Sequence, residues 1–253
     1  MNRKVGVYLV LVLVVVPSIV LLSGFHAAAS DGPDKPILEM TPSELFQNLK
    51  LRQLAIATQH GDVEKIDVLI KQGADVNGRG KYGITPLFSA WQARNKAGYK
   101  ALLDHGANPN VIGSYGHTLL NLIAGTDDPY YLKLALAHGA NPNLVEPWSG
   151  DTPLFSAVTP DGKVNLPLLI KAGANLDYQE PITKETAVLQ AADLNQFDAV
   201  YVLLQAGASC KLKAVHGYTL REATNHSLKW TNRDNKLYRW AERVLQFLNK
   251  HGC

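Results

Sequence analysis

The chain has 253 residues, of which 46% are hydrophobic and 19% charged, and this composition excludes an intrinsically disordered protein. Its formal net charge of +3 is too small for a general nucleic-acid binder. The charge is uneven, since residues 30–210 carry 14 basic and 19 acidic side chains, whereas residues 211–253 carry 9 basic and 3 acidic. The C-terminal end is therefore a basic pole.

Residues 1–29 have the order of segments that is typical of a secretory signal peptide. Arg3 and Lys4 precede an apolar run over residues 5–22, and three alanines that end at Ala29 follow. This order predicts export and cleavage after Ala29. An uncleaved inner-membrane anchor is the alternative, because 18 apolar residues are just long enough to span a bilayer. Both interpretations put the folded part outside the cytoplasm, and we expect it in the periplasm.

Residues 30–50 are expected to form a linker and an N-terminal capping helix. Thr41 precedes Pro42, which suits the first position of a helix. Glu44 follows Thr41 by three residues, the spacing at which the two side chains cap each other's backbone amides. The sequence therefore predicts a helix that begins after Thr41.

A Gly-Ala phrase recurs through the rest of the chain and indicates internal repetition. Its glycines are 33, 33, 34 and 34 residues apart. Each one follows an apolar stretch and supplies the left-handed residue that ends a helix. About 12 residues later, a threonine is placed to cap the next helix. The glycines are Gly73, Gly106, Gly139, Gly173 and Gly207, and the threonines are Thr85, Thr118, Thr152, Thr186 and Thr219.

This repeat, with T-P-L-x-x-A opening one helix and L-L-x-x-G-A-x-x-N closing the next, resembles the ankyrin repeat. The resemblance covers residues 51–253 and is clearest over residues 82–110. It implies an all-α fold, an ankyrin-repeat solenoid of about six helix-turn-helix units with atypical terminal caps. Leu119, Ala187 and Leu220 replace the usual proline, which weakens single helix starts.

The last repeat is longer than the others, since Gly207 and Gly252 are 45 residues apart. We expect an insertion at about residues 225–238 and then a closing helix over residues 240–250. The basic and aromatic side chains of this region are typical of a solvated terminal cap, and a weak contact with a membrane surface is the alternative. They are Lys229, Trp230, Arg233, Lys236, Arg239 and Trp240.

The two cysteines of the chain, Cys210 and Cys253, both lie near its C-terminal end. In an oxidising compartment they can form a disulfide. Two free thiols are the alternative, because the sequence does not give the distance between the two Cα atoms.

The sequence carries no motif of a catalytic, nucleotide-binding or metal site. G-x-S-x-G, H-E-x-x-H, G-x-x-x-x-G-K-[ST] and C-x-x-C are all absent. His60, His117 and His216 lie a repeat or more apart, so no single metal-ligand spacing gathers them. We therefore expect no enzymatic activity, no metal and no cofactor.

Repeat solenoids bind partners through an extended surface built from turn tips and from the first helix of each unit. Tyrosine and tryptophan are typical of the energetic centres of interfaces, although at a tip they can also pack on the neighbouring turn. The side chains predicted at the tips are Tyr82, Tyr115, Trp148, Ser149 and His216. On the first helices the predicted contacts are Ser89, Gln92, Asn121, Ser156 and Gln190.

These features predict an exported protein-binding module. Small exported ankyrin proteins resemble immunity or accessory partners of secreted phospholipases and of toxins that attack the cell envelope. That resemblance implies an inhibitor that occludes the active-site entrance of its target. The alternative is a periplasmic scaffold in oxidative-stress defence that partners a catalase-type enzyme. Both hypotheses require a partner protein in the same compartment.

Overall fold

The computed structural model describes residues 36–113 and 116–253. The expected signal peptide and Tyr115 lie outside these residues. The chain divides into a short unit, residues 1–40, and a main unit, residues 41–253. The described part of the short unit contains a 3-10 turn at Ile37–Glu39. No helix within the described residues is long and apolar enough to cross a membrane.

The main unit is all-helical over its described residues, as the repeat pattern predicts. It has no named strand there, and its two isolated β-bridges each flank a turn. The α-helices are α1 (Pro42–Leu45), α2 (Leu49–His60), α3 (Val63–Lys71), α4 (Pro86–Gln92), α5 (Lys96–Asp104), α6 (Leu119–Ala124), α7 (Pro129–Ala137), α8 (Pro153–Ala157), α9 (Leu166–Lys171), α10 (Ala187–Asp193), α11 (Phe197–Gln205), α12 (Leu220–Trp230) and α13 (Lys236–His251).

From α2 onward the helices form six consecutive pairs, and each pair is one repeat. The two helices of every pair contact each other, and so do helices of neighbouring repeats. Among the first helices, α2 packs on α4, α6 on α8 and α10 on α12; among the second helices, α3 packs on α5, α5 on α7 and α11 on α13. The result is the two-layered solenoid of helix-turn-helix units that the sequence predicts.

The helices begin and end at the residues that the repeat pattern indicates. The hydroxyl oxygens of Thr85, Thr118, Thr186 and Thr219 each accept a hydrogen bond from the amide three residues later. Thr152 is the exception, because its side chain makes no capping bond. At the other end, Gly73 has a φ of 88°, a left-handed conformation that residues with a side chain rarely adopt.

The N-terminal cap is shorter than the repeats. Thr41 and Glu44 form the predicted capping box, but α1 is only four residues long. The chain is extended at Phe46, and Asn48 then caps α2. Leu45 and Phe46 are fully buried in the main unit, so the cap covers the apolar end of the solenoid.

A ladder of asparagines joins the repeats along their second layer. Four residues after a helix-ending glycine, Asn110 Nδ2 donates to the carbonyl of Gly139 at 2.9 Å, and its Oδ1 accepts from the amide of Asn141 at 2.7 Å. Asn77 and Asn143 make the same pair of bonds one repeat away on either side. Each of these side chains therefore satisfies one donor and one acceptor of the next repeat.

The last repeat accommodates its extra residues by lengthening both helices. Helix α12 has 11 residues and α13 has 16, and α13 begins at Lys236, four residues before the expected start of the closing helix. Cys210 and Cys253 form a disulfide, with their Cα atoms 5.8 Å apart. Arg221 Nε donates to the Cys253 carbonyl oxygen at 2.8 Å. Helix α13 is thus attached to the preceding repeat by a covalent bond and to α12 by a hydrogen bond.

Candidate functional site

In repeats two to six a backbone hydrogen bond closes the turn before the first helix, and these turns are of two lengths. In repeat two the amide of Gly80 donates to the carbonyl of Ile84 at 2.8 Å, which encloses three residues. In repeat four the amide of Glu146 donates to Asp151 at 2.7 Å, which encloses four residues. Glu180 closes the turn of repeat five in the same way. Repeats four and five therefore have longer tips.

Three apolar side chains at the tips of repeats four, five and six are exposed. Trp148 is 54% exposed, Ile182 is 77% exposed and Val215 is 41% exposed. We call these three residues the tip row. The tips belong to consecutive repeats, and those of repeats five and six adjoin, since the amide of Val215 donates to the carbonyl of Thr183 at 2.7 Å. Exposed apolar side chains grouped in this way are typical of a site that another molecule covers. Ile182 was missed by the sequence analysis, although its place after a Glu-Pro pair matches that of Trp148.

Trp148 both packs on its neighbour and remains exposed. Its ring centroid lies 6.2 Å from that of His117 in the preceding turn. A Cβ atom added to Gly116 would lie 3.0 Å from the backbone nitrogen of Trp148, so the two turns are stacked closely. The contact fixes the position of the indole ring and leaves half of its surface available.

The other predicted tip residues have different environments. His216 is exposed, and Tyr82 is half-buried. Ser149 is also half-buried, and its hydroxyl donates to Glu146 Oε2 at 2.9 Å. Ser149 is therefore a residue that holds the turn together, while His216 extends the exposed surface beside Val215.

The tips keep three non-glycine residues in the left-handed conformation. Tyr82 has a φ of 58°, Lys184 of 59° and His216 of 60°. A residue with a side chain in this region costs about 1 kcal/mol. Asparagine or glycine would adopt it more easily, so the chain carries a backbone cost at these tips, as it also does away from them at Arg94.

The predicted contacts on the first helices are only partly accessible. Ser89 is fully buried and Asn121 is 5% exposed, so neither offers a binding surface in this structure. The reason is helical phase, since Asn121 lies one 33-residue period after the buried Phe88 and therefore faces the core. Gln92, Ser156 and Gln190 are half-buried and remain accessible.

Buried carboxylates hold the two longer turns. Glu180 is 6% exposed and accepts hydrogen bonds from the amides of Ile182 and Thr183 and from the Thr183 hydroxyl. Glu146 is 7% exposed and accepts from the amide of Thr118 at 3.0 Å, which belongs to the preceding repeat. These bonds fix the backbone that carries the tip row, because a charged acceptor makes stronger hydrogen bonds than a neutral one.

The carboxylates at the bases of these turns influence each other's ionisation. Burial raises the pKa of Asp151 to about 6. The negative charges of Glu146 and Glu180 raise this pKa further, whereas a hydrogen bond with Ser149 lowers it. Burial and neighbouring carboxylates also raise the pKa of Glu185. Burial alone would raise the pKa of Glu146, but hydrogen bonds from His117 and other groups outweigh it and lower that pKa.

Metal and membrane interactions have little support in the geometry. Within the part of the chain that the structure describes, no group of His, Cys, Asp or Glu side chains is arranged to hold a metal ion. In the basic C-terminal segment, Trp230 is 72% exposed and the Lys229 Nζ lies 5.2 Å from its ring centroid. Lipid contact by this segment stays a prediction.

Comparisons with known proteins agree with the repeat pattern. A family model described as ankyrin repeats, in three copies, matches residues 25–113, about a third of the chain. An ankyrin repeat domain from Acinetobacter baumannii AYE is similar in structure, with a TM-score of 0.67 and 24% identity, over 78% of this chain and 97% of that one. The ankyrin repeat domain of Bcl-3, a member of the IkappaB protein family, has a TM-score of 0.63 and 21% identity, over 70% of this chain and 81% of that one. None of the curated proteins matches the chain. At these identities the structural likeness shows the fold alone.

Proposed function

Because the chain is built from ankyrin repeats and folds as an ankyrin-repeat solenoid, we propose that it is an exported binding protein that inhibits its partner. Ankyrin repeats form protein–protein interaction modules, and this coarser function follows from the fold. The partner that we propose is a secreted phospholipase or a toxin that attacks the cell envelope. The protein would act in the periplasm, after export on its N-terminal signal sequence.

The observation that carries the proposal is the tip row. Trp148, Ile182 and Val215 expose apolar surface at three consecutive tips, although each could be polar without loss to the core. Large side chains that are held rigidly lose little conformational entropy when a partner covers them. The row projects from a scaffold that is stiffened by buried carboxylates, as a binding surface that must block an active-site entrance requires.

The turn bases suggest the charge of the partner surface. Asp151 and Glu185 are half-buried, and their pKa values are raised first by burial and second by the repulsion of neighbouring carboxylates. This mutual repulsion is a cost in the free protein, and a basic group of a partner would relieve it. We therefore propose that the partner places lysine or arginine side chains beside these turns and apolar side chains on the tip row.

The test uses two matched triple variants as baits in a periplasmic extract. The tip variant carries Trp148→Ala, Ile182→Ser and Val215→Ser. The control carries Val68→Ser, Val164→Ser and Val202→Ser, which remove exposed valines elsewhere. We expect the wild type and the control to retain the same partner and the tip variant to lose it. Equal retention by all three baits would show that the tip row does not bind.

The recovered partner then decides between the candidate functions. If it is a phospholipase or a toxin, its activity should fall to background when the protein is added in equal amount and return when the tip variant replaces it. A recovered enzyme that stays fully active in the complex would contradict inhibition. A catalase-type partner would instead support a scaffold in oxidative-stress defence.

A further inference from the structure

A second surface, which shares no residue with the tip row, lies between the outer helices of the last two repeats. Helices α11 and α13 pack side by side and leave a groove of about 930 Å³ between them. This volume is typical of a site that holds a small ligand or a few side chains of a peptide. The disulfide between Cys210 and Cys253 lies in the wall of the groove and ties its two sides together.

The floor of the groove is aromatic and apolar. Tyr201 and Phe247 are half-buried, with ring centroids 6.3 Å apart, and Leu204 is buried beside them. The ring of His251 stacks on Phe247, with centroids 3.9 Å apart, and its Nδ1 is hydrogen-bonded to the Phe247 carbonyl oxygen at 2.8 Å. The floor is therefore preorganised, because the rings position each other before any ligand arrives.

The rim of the groove is basic. Lys211, Arg243 and Lys250 are exposed, and among the described residues that line the groove none is acidic. No carboxylate of the described residues pairs with these three cations. Arg243 lies over the ring of Trp240, 4.8 Å from its centroid, which holds the guanidinium group at the edge of the groove.

We propose that this groove binds an acidic peptide segment of another protein, with an aromatic or aliphatic side chain as its anchor. The anchor would lie on Tyr201 and Phe247, and the flanking carboxylates would pair with Arg243 and Lys250. Charge complementarity carries the choice, since the charged side chains of the rim are all basic. The floor rings Tyr201 and Phe247 are half-buried between two helices, which favours a narrow peptide chain over the flat surface of an anionic membrane.

This surface is distinct from the tip row in both location and charge. The turn bases near the tip row are acidic and favour a partner surface with basic side chains. The groove is basic and favours a partner segment with acidic side chains. The two sites therefore do not compete for the same segment. A failure of the groove to bind would leave the proposed role of the tip row untouched.

The probe for a test is a fluorescein-labelled peptide with a central phenylalanine between two pairs of aspartates. Fluorescence anisotropy measures its binding to the full chain with the disulfide intact. The groove variant carries Arg243→Glu and Lys250→Glu, and the control carries Lys236→Glu and Arg239→Glu on the same helix outside the groove. Both variants change the net charge equally, and all four side chains are exposed. The unfolding temperature of each variant, measured beside that of the wild type, separates a loss of binding from a loss of structure.

We expect the groove variant to weaken peptide binding by about tenfold or more and the control by about threefold or less, because only close charge pairs act strongly. A peptide with glycine in place of phenylalanine should bind as weakly as the groove variant does. Equal weakening in the two variants would overturn the proposal, since it would indicate diffuse attraction. So would binding of phosphatidylglycerol vesicles through Arg243 and Lys250 without any binding of the peptide.

Discussion

The first and second halves of the solenoid have different side chains at equivalent positions of the turn bases and of the ladder. At the base of the turns, repeats two and three have Gly80 and Gly113, whereas repeats four and five have Glu146 and Glu180. In the ladder between repeats, neutral asparagines give way to Asp177 at the corresponding position of the second half. Repeats four and five thus carry acids at sites where the first half, and Ala214 in repeat six, show that neutral groups suffice.

This difference shows where side chains lower the stability of the fold, which indicates that they serve another role. Asp177 Oδ1 accepts from the amide of Ser209 at 2.7 Å, but a carboxylate has no hydrogen to donate to the Gly207 carbonyl. Asp151 is ionised at neutral pH although burial and its neighbours oppose that state. The same half carries the tip row. We therefore expect the ladder to stabilise the first half and the acids to weaken the second half.

We expect the largest loss of stability when the disulfide at the C-terminal end of the ladder is removed. The exchange of both Cys210 and Cys253 for serine removes a cross-link between residues 43 positions apart. Such a loop corresponds to a loss of about 2–4 kcal/mol of stability, because the unfolded chain regains conformational freedom. Urea denaturation of the double variant and of the reduced wild type should give the same loss. An unchanged midpoint would show that packing alone holds α13.

The next effect concerns the neutral ladder of the first half. Asn110→Ala removes the donor to Gly139 and the acceptor for Asn141, which we expect to lower stability by about 2 kcal/mol. Asn110→Asp keeps the acceptor and copies the arrangement at Asp177, so it should cost about half as much. Thermal unfolding of both variants measures the difference. Equal costs would mean that the donated bond contributes nothing.

The fold could be predicted from the sequence in more detail than the binding surface. The threonine caps and the left-handed glycines follow from local conformational preferences, so their positions predict the helix bounds within a few residues. Burial on the first helices depends instead on helical phase. The burial of a polar side chain such as Asn121 could not be predicted, because its residue type favours the surface.

The binding side chains are harder to predict because exposure at a tip depends on contacts between turns. Trp148 was identified by residue type, whereas the more exposed Ile182 was not, since an aliphatic residue in a loop carries no signal of its own. Only the alignment of the two Glu-Pro turns places it beside Trp148. The groove between α11 and α13 could not be predicted from the sequence, because its lining comes from two separate segments, residues 201–211 and 243–253.

A smaller effect is expected from the acids at the turn bases, and it depends on pH. The pKa of Asp151 is about 6 in the folded chain and about 4 in an unfolded one, so the folded state binds this proton more tightly. The stabilisation is full below pH 4 and is lost as the pH rises through 6. Asp151→Asn should therefore raise stability by about 1 kcal/mol at pH 7 and have no effect near pH 4. The same difference at both pH values would rule out ionisation as the cause.

The smallest effect tests the acid in the ladder itself. Asp177→Asn supplies the missing donor for the Gly207 carbonyl and keeps the acceptor for Ser209, so it should add about 0.5 kcal/mol. A matched exchange of an exposed acid outside the ladder, Asp161→Asn, separates this bond from the loss of a negative charge. If Asp177→Asn stabilises the protein and Asp161→Asn does not, the wild type lacks a stabilising hydrogen bond from residue 177 to the Gly207 carbonyl. An acid at position 177 would then owe its presence to a partner or to the charge of the surface, since the ladder alone is better served by an amide.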